Sequence, residues 1–448
     1  MVFKLVVFYT SCIIWSAITL FFLLFTIYAK KDGEKRPFLR SLILLVLSLT
    51  ILGVQIFLEG FYVQLFQYIT LALFLLFALI SAIPYRNTHT LKIYPSKERF
   101  DERDVMFARG EYRPGTKKYR IYYGELHPEK KEFDDRLREL PEPCEGGAFY
   151  DRLLSSICCS EFSFISKLLE YVDGGIEGDM VELTPEEFTE HIKWFTKYLG
   201  ADLVGIAPVE ERYFYSHVGR GPEEWGREIK VEHKYAISFA VEMDYMMLSH
   251  APRIHTTVES AKKYVEVAVI AIILAEYIRR LGYSARAHIS ESNYQAILPP
   301  FAYLAGIGEL GRLGYIITRE FGPRVRLGLV TTNLPLITDK PISFGVQDMC
   351  SFCTKCADNC PAQAIPSGEK TVVRGVEKWQ LDYEKCYYYW KKIGTDCGLC
   401  MYTCPYSRGT NPLQNLLRRF STLSHFARRF YLWWDDFFYG KYPRRIII

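Results

Sequence analysis

Three long apolar runs open the chain: Leu5 to Tyr28, Ser41 to Leu58, and Phe61 to Ile83. The third is interrupted by only two strongly polar residues, Gln64 and Gln67. Each run has 18 or more residues, long enough to cross roughly 30 Å of hydrocarbon as a helix. A buried core helix explains one such run; three in succession predict a transmembrane anchor over 1–84. The first is too long for the apolar core of a signal peptide and leads into further spans rather than a processing site. The loop KKDGEKRPFLR carries Lys30, Lys31, Lys35, Arg36 and Arg40, the next turn is only Glu59-Gly60, and Arg86, Lys92, Lys97 and Arg99 follow the third run. Lys and Arg concentrate on the cytoplasmic side of membrane proteins. The sequence therefore predicts a multi-pass protein of the cytoplasmic (inner) membrane, with everything after Ile83 facing the cytoplasm. KRPFLR before an apolar run also resembles a twin-arginine export signal, but Lys35 replaces its first arginine and a complete span precedes it.

From about Tyr85 the pattern becomes charged and punctuated by Pro and Gly. Thr184-Pro185-Glu186-Glu187 reads as a helix start, with a hydroxyl cap, proline in the first turn and a glutamate that reaches back. That helix ends at Gly200, and DLVGIA follows as a short buried strand. YAISFAVEM is a second strand. Thr257 to Leu281 has helical periodicity, with Arg279 and Arg280 in its last turn and Gly282 as its stop. SARAHI and RLGLVTT supply two more strands. Strands interleaved with helices predict an α/β or α+β domain over 85–340. Gly306-x-Gly308-x-x-Gly311 lies within it, too late in the domain for a dinucleotide fingerprint. Arg326 also stands where that fingerprint needs an acid. The glycines read equally as a tight turn or as backbone close to some other large, flat cofactor.

Composition changes the picture in two respects. The formal net charge is +4 with interspersed acids, which gives no basic face for nucleic acid. Of 12 cysteines, eight fall between Cys350 and Cys404; Cys12, Cys144, Cys158 and Cys159 form no disulfide framework. Cys350-x2-Cys353-x2-Cys356-x3-Cys360-Pro is followed by Cys386 and then Cys397-x2-Cys400-x3-Cys404-Pro. In two-cluster ferredoxins the cysteine before proline ligates the other cluster. The spacing therefore predicts one 4Fe-4S cluster on Cys350, Cys353, Cys356 and Cys404, and a second on Cys386, Cys397, Cys400 and Cys360. Zinc sites seldom use this spacing twice with a terminal proline. A ferredoxin-like domain is expected over 341–410, assembled where thiols stay reduced. Clusters move single electrons and choose no substrate, so the reaction belongs to the preceding domain.

RFDERDVMFARGEYRPGTKKY, GADLVGIAPV, YAISFAVEMDY, NYQAILPP, GELGRLG, DKPISFGVQDMCSFCTKCADNCP, KCYYYWKKIGTDCGLCMYTCPYS and WDDFFYG occur in this order from Arg99 onward. Together these blocks resemble the corrinoid-dependent reductive dehalogenases. The resemblance implies a nitroreductase-like α+β body holding a base-off corrinoid (cobalamin), followed by the two-cluster unit. No D-x-H-x-x-G corrinoid motif is present, in keeping with cobalt that lacks a protein histidine. The implied reaction replaces carbon–halogen by carbon–hydrogen in an organohalide, using two electrons and one proton. The implied acid is a tyrosine beside a cation that favours phenolate. The matching positions are Tyr264 and Arg326, with Asn293 resembling the polar residue of the substrate pocket. From the residues alone, Tyr264 shares a helix face with Val267, Ala268, Ala271, Ala275 and Ile278 and reads as a core aromatic. Arg326 reads as one end of a salt bridge, with Arg324 on the same strand face, and Asn293 as a turn cap.

Exported respiratory relatives carry a twin-arginine leader and dock on a separate three-helix anchor, whereas here three helices are fused. A cytoplasm-facing enzyme would draw electrons from a low-potential donor or from a quinol-linked membrane donor. The tail 411–448 pairs arginines with aromatics, which suits a membrane-surface helix in contact with lipid. WDDFFYG favours instead a cap packed on the catalytic body. Two other functions compete: an epoxyqueuosine reductase-like corrinoid enzyme, and a membrane electron-transfer subunit without corrinoid.

Overall fold

A computed structural model describes residues 2–83, 90–221, 223–290 and 294–442. The apolar runs form α1 (Val2–Lys31), α2 (Lys35–Phe57) and α3 (Phe61–Ala82). At 1.5 Å per residue these measure about 33–45 Å, and all three are long and apolar enough to cross a membrane. KRPFLR is not a loop: it forms the first turns of α2. Some polar side chains inside the bundle satisfy one another: Ser11 donates to Gln55 at 2.6 Å and Thr26 to Ser41 at 2.9 Å, an arrangement that apolar surroundings favour.

The chain forms two compact units rather than the four parts expected from the sequence. Residues 90–350 and 354–407 form one; 2–83, 351–353 and 408–442 fall in the other. The ferredoxin segment thus belongs largely to the body and does not separate as its own globule.

In the body, α4 (Pro185–Tyr198) starts with the capping box expected from sequence, Thr184 and Glu187 each bonding the other's backbone. The sheet contains β1 (Leu203–Pro208), β2 (Tyr235–Glu242), β3 (Ala285–His288) and β6 (Val325–Thr332), in the order β1-β2-β6-β3. Every neighbouring pair is antiparallel, so the body is α+β rather than doubly wound. Residues along a strand alternate faces, and both faces of β2 are covered. Ile237, Phe239 and Val241 share a core with Val267, Ala271, Leu274 and Ile278 of α5 (His255–Arg280). Ala236 and Ala240 pack in the opposite core with Phe301 and Ala302. A small hairpin, β4 (Glu309–Leu310) with β5 (Ile316–Ile317), follows. Further on, α6 (Val346–Phe352) leads into the first cysteine motif and α7 (Tyr383–Ile393) carries Cys386.

The tail helices α8 (Pro412–Ser421) and α9 (His425–Phe438) group with the apolar helices. Aromatic complementarity is the reason. The Trp434 ring lies 5.5 Å from that of Phe21 and 5.6 Å from that of Phe25, and Phe77 lies 5.1 Å from Phe430. Arg40 stands over the Phe437 ring at 4.6 Å and donates to the Phe437 carbonyl. Asn411 reaches Asp32 at 3.2 Å. A buried Arg408–Asp435 ion pair at 2.7 Å fixes the start of the tail to α9.

Candidate active site

Arg326 lies on β6 with the same parity as Val330, which packs on α5, so its side chain points toward that helix. Its Nη1 donates to the Tyr264 hydroxyl at 3.0 Å, and its Cζ is 4.0 Å from the Tyr264 ring centroid. Its Nη2 donates to Ser260 Oγ at 2.5 Å, one helical turn before Tyr264 on the same face. Asp396 lies close enough for Ser260 to lower its pKa. Burial opposes the charge on Arg326, but Tyr264, Asp396, Tyr315 and Tyr294 together raise its pKa. Burial raises the Asp396 pKa, while Ser260 and Arg326 pull it down. Arg326 Nε is buried and has no hydrogen-bond partner among the described residues. Arg324 is occupied elsewhere, donating to Glu242 at 2.9 Å and to the Ser407 carbonyl at 2.6 Å.

Tyr315 and Tyr294 line the same place. Burial raises the pKa of both, Tyr264 adds to it, and Arg326 opposes it. Tyr315 nevertheless keeps 37% of its surface accessible. The accessible face of Tyr315 leaves a recess beside one guanidinium, with phenols around it and an N–H that has no partner among the described residues.

The cysteine segment reaches this recess. Thr395 Oγ1 donates to the Pro252 carbonyl at 2.6 Å and Asp396 N to Thr257 Oγ1 at 3.0 Å. A Cβ on Gly398 would stand 2.5 Å from Thr256 Cγ2, so glycine permits this close docking on α5. Tyr315 feels Cys400 and Cys386 on one side and Arg326 and Tyr264 on the other.

Cys360, Cys386, Cys397 and Cys400 influence one another here. Burial pushes Cys386 up to about 12, and Cys360, Asp396 and Asp382 add to it. Cys397 also rises to about 12 through burial, opposed by the Leu399 amide and reinforced by Cys386 and Cys360. Burial raises Cys400 as well, with Cys397, Cys386 and Cys360 contributing. Cys360, the residue before proline, thus keeps company with Cys386, Cys397 and Cys400 rather than standing apart. Among the described residues no three His, Cys, Asp or Glu side chains gather tightly enough for a single metal ion. Cys350 and Cys356 are buried at the other motif, as is Cys404.

Two sequence expectations have a different setting. A Cβ on Gly308 would stand 2.4 Å from the Ile317 carbonyl and one on Gly311 2.5 Å from Ile317 Cδ1. Gly306, at φ +71°, faces the Lys340 carbonyl in the same way. Contacts with the chain's own hairpin and loop account for all three glycines without a cofactor. Asn293 lies outside the described residues. Ser260, Asp396, Tyr294 and Tyr315 were not singled out from sequence. The spacing of Ser260 from Tyr264 and the position of Asp396 beside Cys397 are the signals that could have found them.

A family model described as a 4Fe-4S dicluster domain matches residues 349–407. The tetrachloroethene reductive dehalogenase of Desulfitobacterium hafniense is 33% identical over 298 residues, covering 55% of this chain and 54% of its own length. The chain thus spans about half the length of the curated relatives it matches. A solved reductive dehalogenase, described with a mechanism for B12-dependent dehalogenation, superposes with a TM-score of 0.65 at 27% identity. That match covers 81% of this chain and 49% of the other. The epoxyqueuosine reductase of Bacillus cereus is 38% identical over 120 residues, 23% of this chain. The likeness to reductive dehalogenases read from the sequence therefore holds in both sequence and fold. The chain carries a C-terminal dicluster unit on an α+β body, preceded by three helices able to cross a membrane.

Proposed function

We propose that this protein is a membrane-anchored reductive dehalogenase that replaces a carbon–halogen bond by carbon–hydrogen. The observation that carries the reading is the Arg326–Tyr264 pair in a phenol-lined recess, beside the thiols Cys400 and Cys386. When bound, a base-off corrinoid supplies low-valent cobalt for the halogen, and two 4Fe-4S clusters deliver the two electrons singly. Tyr264 supplies the proton from its hydroxyl oxygen to carbon. The oxygen left behind accepts the Arg326 N–H, and the guanidinium lies over the same ring. Ser260 holds the second arm of Arg326. The unused Nε of Arg326 remains free to hold a polar edge of ligand or substrate; for Asn293 the substrate role rests on the family resemblance alone.

The cluster ligands are assigned as Cys350, Cys353, Cys356 and Cys404 for one cluster and Cys386, Cys397, Cys400 and Cys360 for the other. The body faces the cytoplasm from the inner membrane, on the strength of the Lys and Arg residues around the turn between α1 and α2. Its donor is a low-potential reductant or a quinol-linked membrane component.

Anaerobic purification of the full chain in detergent, from cells supplied with corrinoid, tests the reading. Iron and cobalt should both be retained, and halide should be released from a panel of chlorinated and brominated alkenes and aromatics. Iron without cobalt would identify an electron carrier. Cobalt without halide release would favour another corrinoid reductase. Protease protection on inverted vesicles tests the orientation: digestion only from the periplasmic side would overturn it.

A further inference from the structure

Arg312 is a buried guanidinium, 2% exposed, beside Cys350. Its hydrogen bonds all run to backbone carbonyls. Nε and Nη2 donate to the Cys350 carbonyl at 3.0 and 2.8 Å, and Nη1 to the carbonyls of Pro366 at 2.8 Å and Gly368 at 3.1 Å. Among the described residues no carboxylate pairs with it. Carbonyl oxygens solvate a cation without neutralising it, so the full charge stays beside Cys350.

A second cation joins it. Arg312 Cζ lies 4.4 Å from the Trp379 ring centroid and Lys370 Nζ 4.6 Å from the same ring. Lys370 donates to Gln347 Oε1 at 2.6 Å, which ties it to α6. Two acids oppose the pair. Glu309 is buried, with burial raising its pKa against the backbone amides of 344–346 that hold its charge. Glu377 acts on Lys370 but is also paired with Lys92 at 3.3 Å. At the other motif Asp396 directly precedes Cys397, and Asp382 caps α7, which carries Cys386, while pairing with Lys385 at 2.9 Å. The two motifs thus differ in their surroundings: a guanidinium without a carboxylate partner among the described residues at Cys350, a carboxylate beside Cys397.

Reduction adds one negative charge to a 4Fe-4S cluster, so a fixed cation favours the reduced form and a fixed anion disfavours it. We infer that Arg312, assisted by Lys370, holds the cluster on Cys350 at a higher reduction potential than the cluster on Cys386, Cys397, Cys400 and Cys360. The more reducing cluster is then the one beside Tyr315 and Arg326. Arg312 is a positioning and tuning residue, since its bonds end on the backbone. The inference rests on the two-cluster assignment above but not on the dehalogenase reading.

The test is a mediated potentiometric titration of the full chain in detergent, reduced with dithionite and followed by electron paramagnetic resonance. Iron content establishes first that both clusters are present, and Cys360→Ala identifies the step of the Cys386 cluster by perturbing it. Two separated one-electron steps are expected, the higher belonging to the Cys350 cluster. Arg312→Gln should move that step alone to more negative potential, Lys370→Gln should move it less in the same direction, and Arg312→Lys should restore most of the shift. The half-buried Lys370 is the variant that decides if Arg312→Gln fails to hold iron. Equal movement of both steps, movement of the lower step alone, or no movement in either charge-removing variant would overturn the inference. Loss of halide release with these potentials intact would count against the dehalogenase reading instead.

Discussion

Arg326 touches Tyr264 twice: its Nη1 donates to the hydroxyl at 3.0 Å while its Cζ stands 4.0 Å from the ring centroid. The donor fixes the direction in which the oxygen presents its remaining lone pair and proton. If that proton is the one delivered to carbon, Tyr264→Phe removes the acid but keeps the ring against Phe162 and the Val267 core. Positioned acids contribute typically about 10²- to 10⁴-fold, so halide release should fall by at least about 100-fold with iron and cobalt unchanged. Near-normal turnover would remove Tyr264 as the proton source.

Ser260 accepts from Arg326 at 2.5 Å and lies near Asp396 of the cysteine segment. Ser260→Ala leaves a buried N–H short of a partner. A cost of about 1–2 kcal/mol in the aligned site is expected, roughly a 5- to 30-fold fall in kcat. Ser260→Thr keeps the hydroxyl and should restore the rate. A fall in Ser260→Ala that Thr does not rescue would reduce Ser260 to a packing residue.

The grouping of Cys360 with Cys386, Cys397 and Cys400 predicts which variants share a phenotype. Cys360→Ala and Cys397→Ala should alter the same paramagnetic signal and lower iron from about eight toward about four per chain. Cys350→Ala should alter the other signal. If Cys360→Ala pairs with Cys350→Ala instead, the crossover assignment is lost.

What the sequence made legible is what local rules govern. The three apolar helices, the Thr184–Glu187 capping box and the strands β1, β2, β3 and β6 follow from periodicity and cap chemistry. Tyr264 and Arg326 came from resemblance, because periodicity alone made Tyr264 a core residue, and it does pack at the edge of that core. Ser260 and Asp396 come near each other from positions far apart in the chain, which leaves no local signature. GELGRLG drew attention to Gly308 and Gly311, which their contacts with Ile317 explain; its basic residue, Arg312, is the one set against Cys350. The tail was assigned by the motif WDDFFYG, whereas its partners are decided by the aromatic faces of α1 and α3, which lie over 300 residues earlier.

His288 sets an acid limit on the fold. It lies on β3 at 1% exposure, with Nε2 2.9 Å from Thr331 Oγ1, and the same hydroxyl meets His233 Nδ1 at 2.9 Å. Burial first, then Arg286 and His233, hold the His288 pKa well below 6.5, so the native ring is neutral. The unfolded chain takes up this proton near pH 6.5 and the native chain does not. As pH falls below that value the unfolded state binds more protons, and stability drops by about 1.4 kcal/mol per pH unit; above it, this group has no effect. His233, also lowered by burial, adds to the slope in the same direction. Denaturation midpoints measured in detergent from about pH 5 to 8 should decline toward acid more steeply for the natural protein than for His288→Gln, whatever their difference at neutral pH. Parallel declines would mean that His288 is protonated in the folded protein or that other groups set the acid limit.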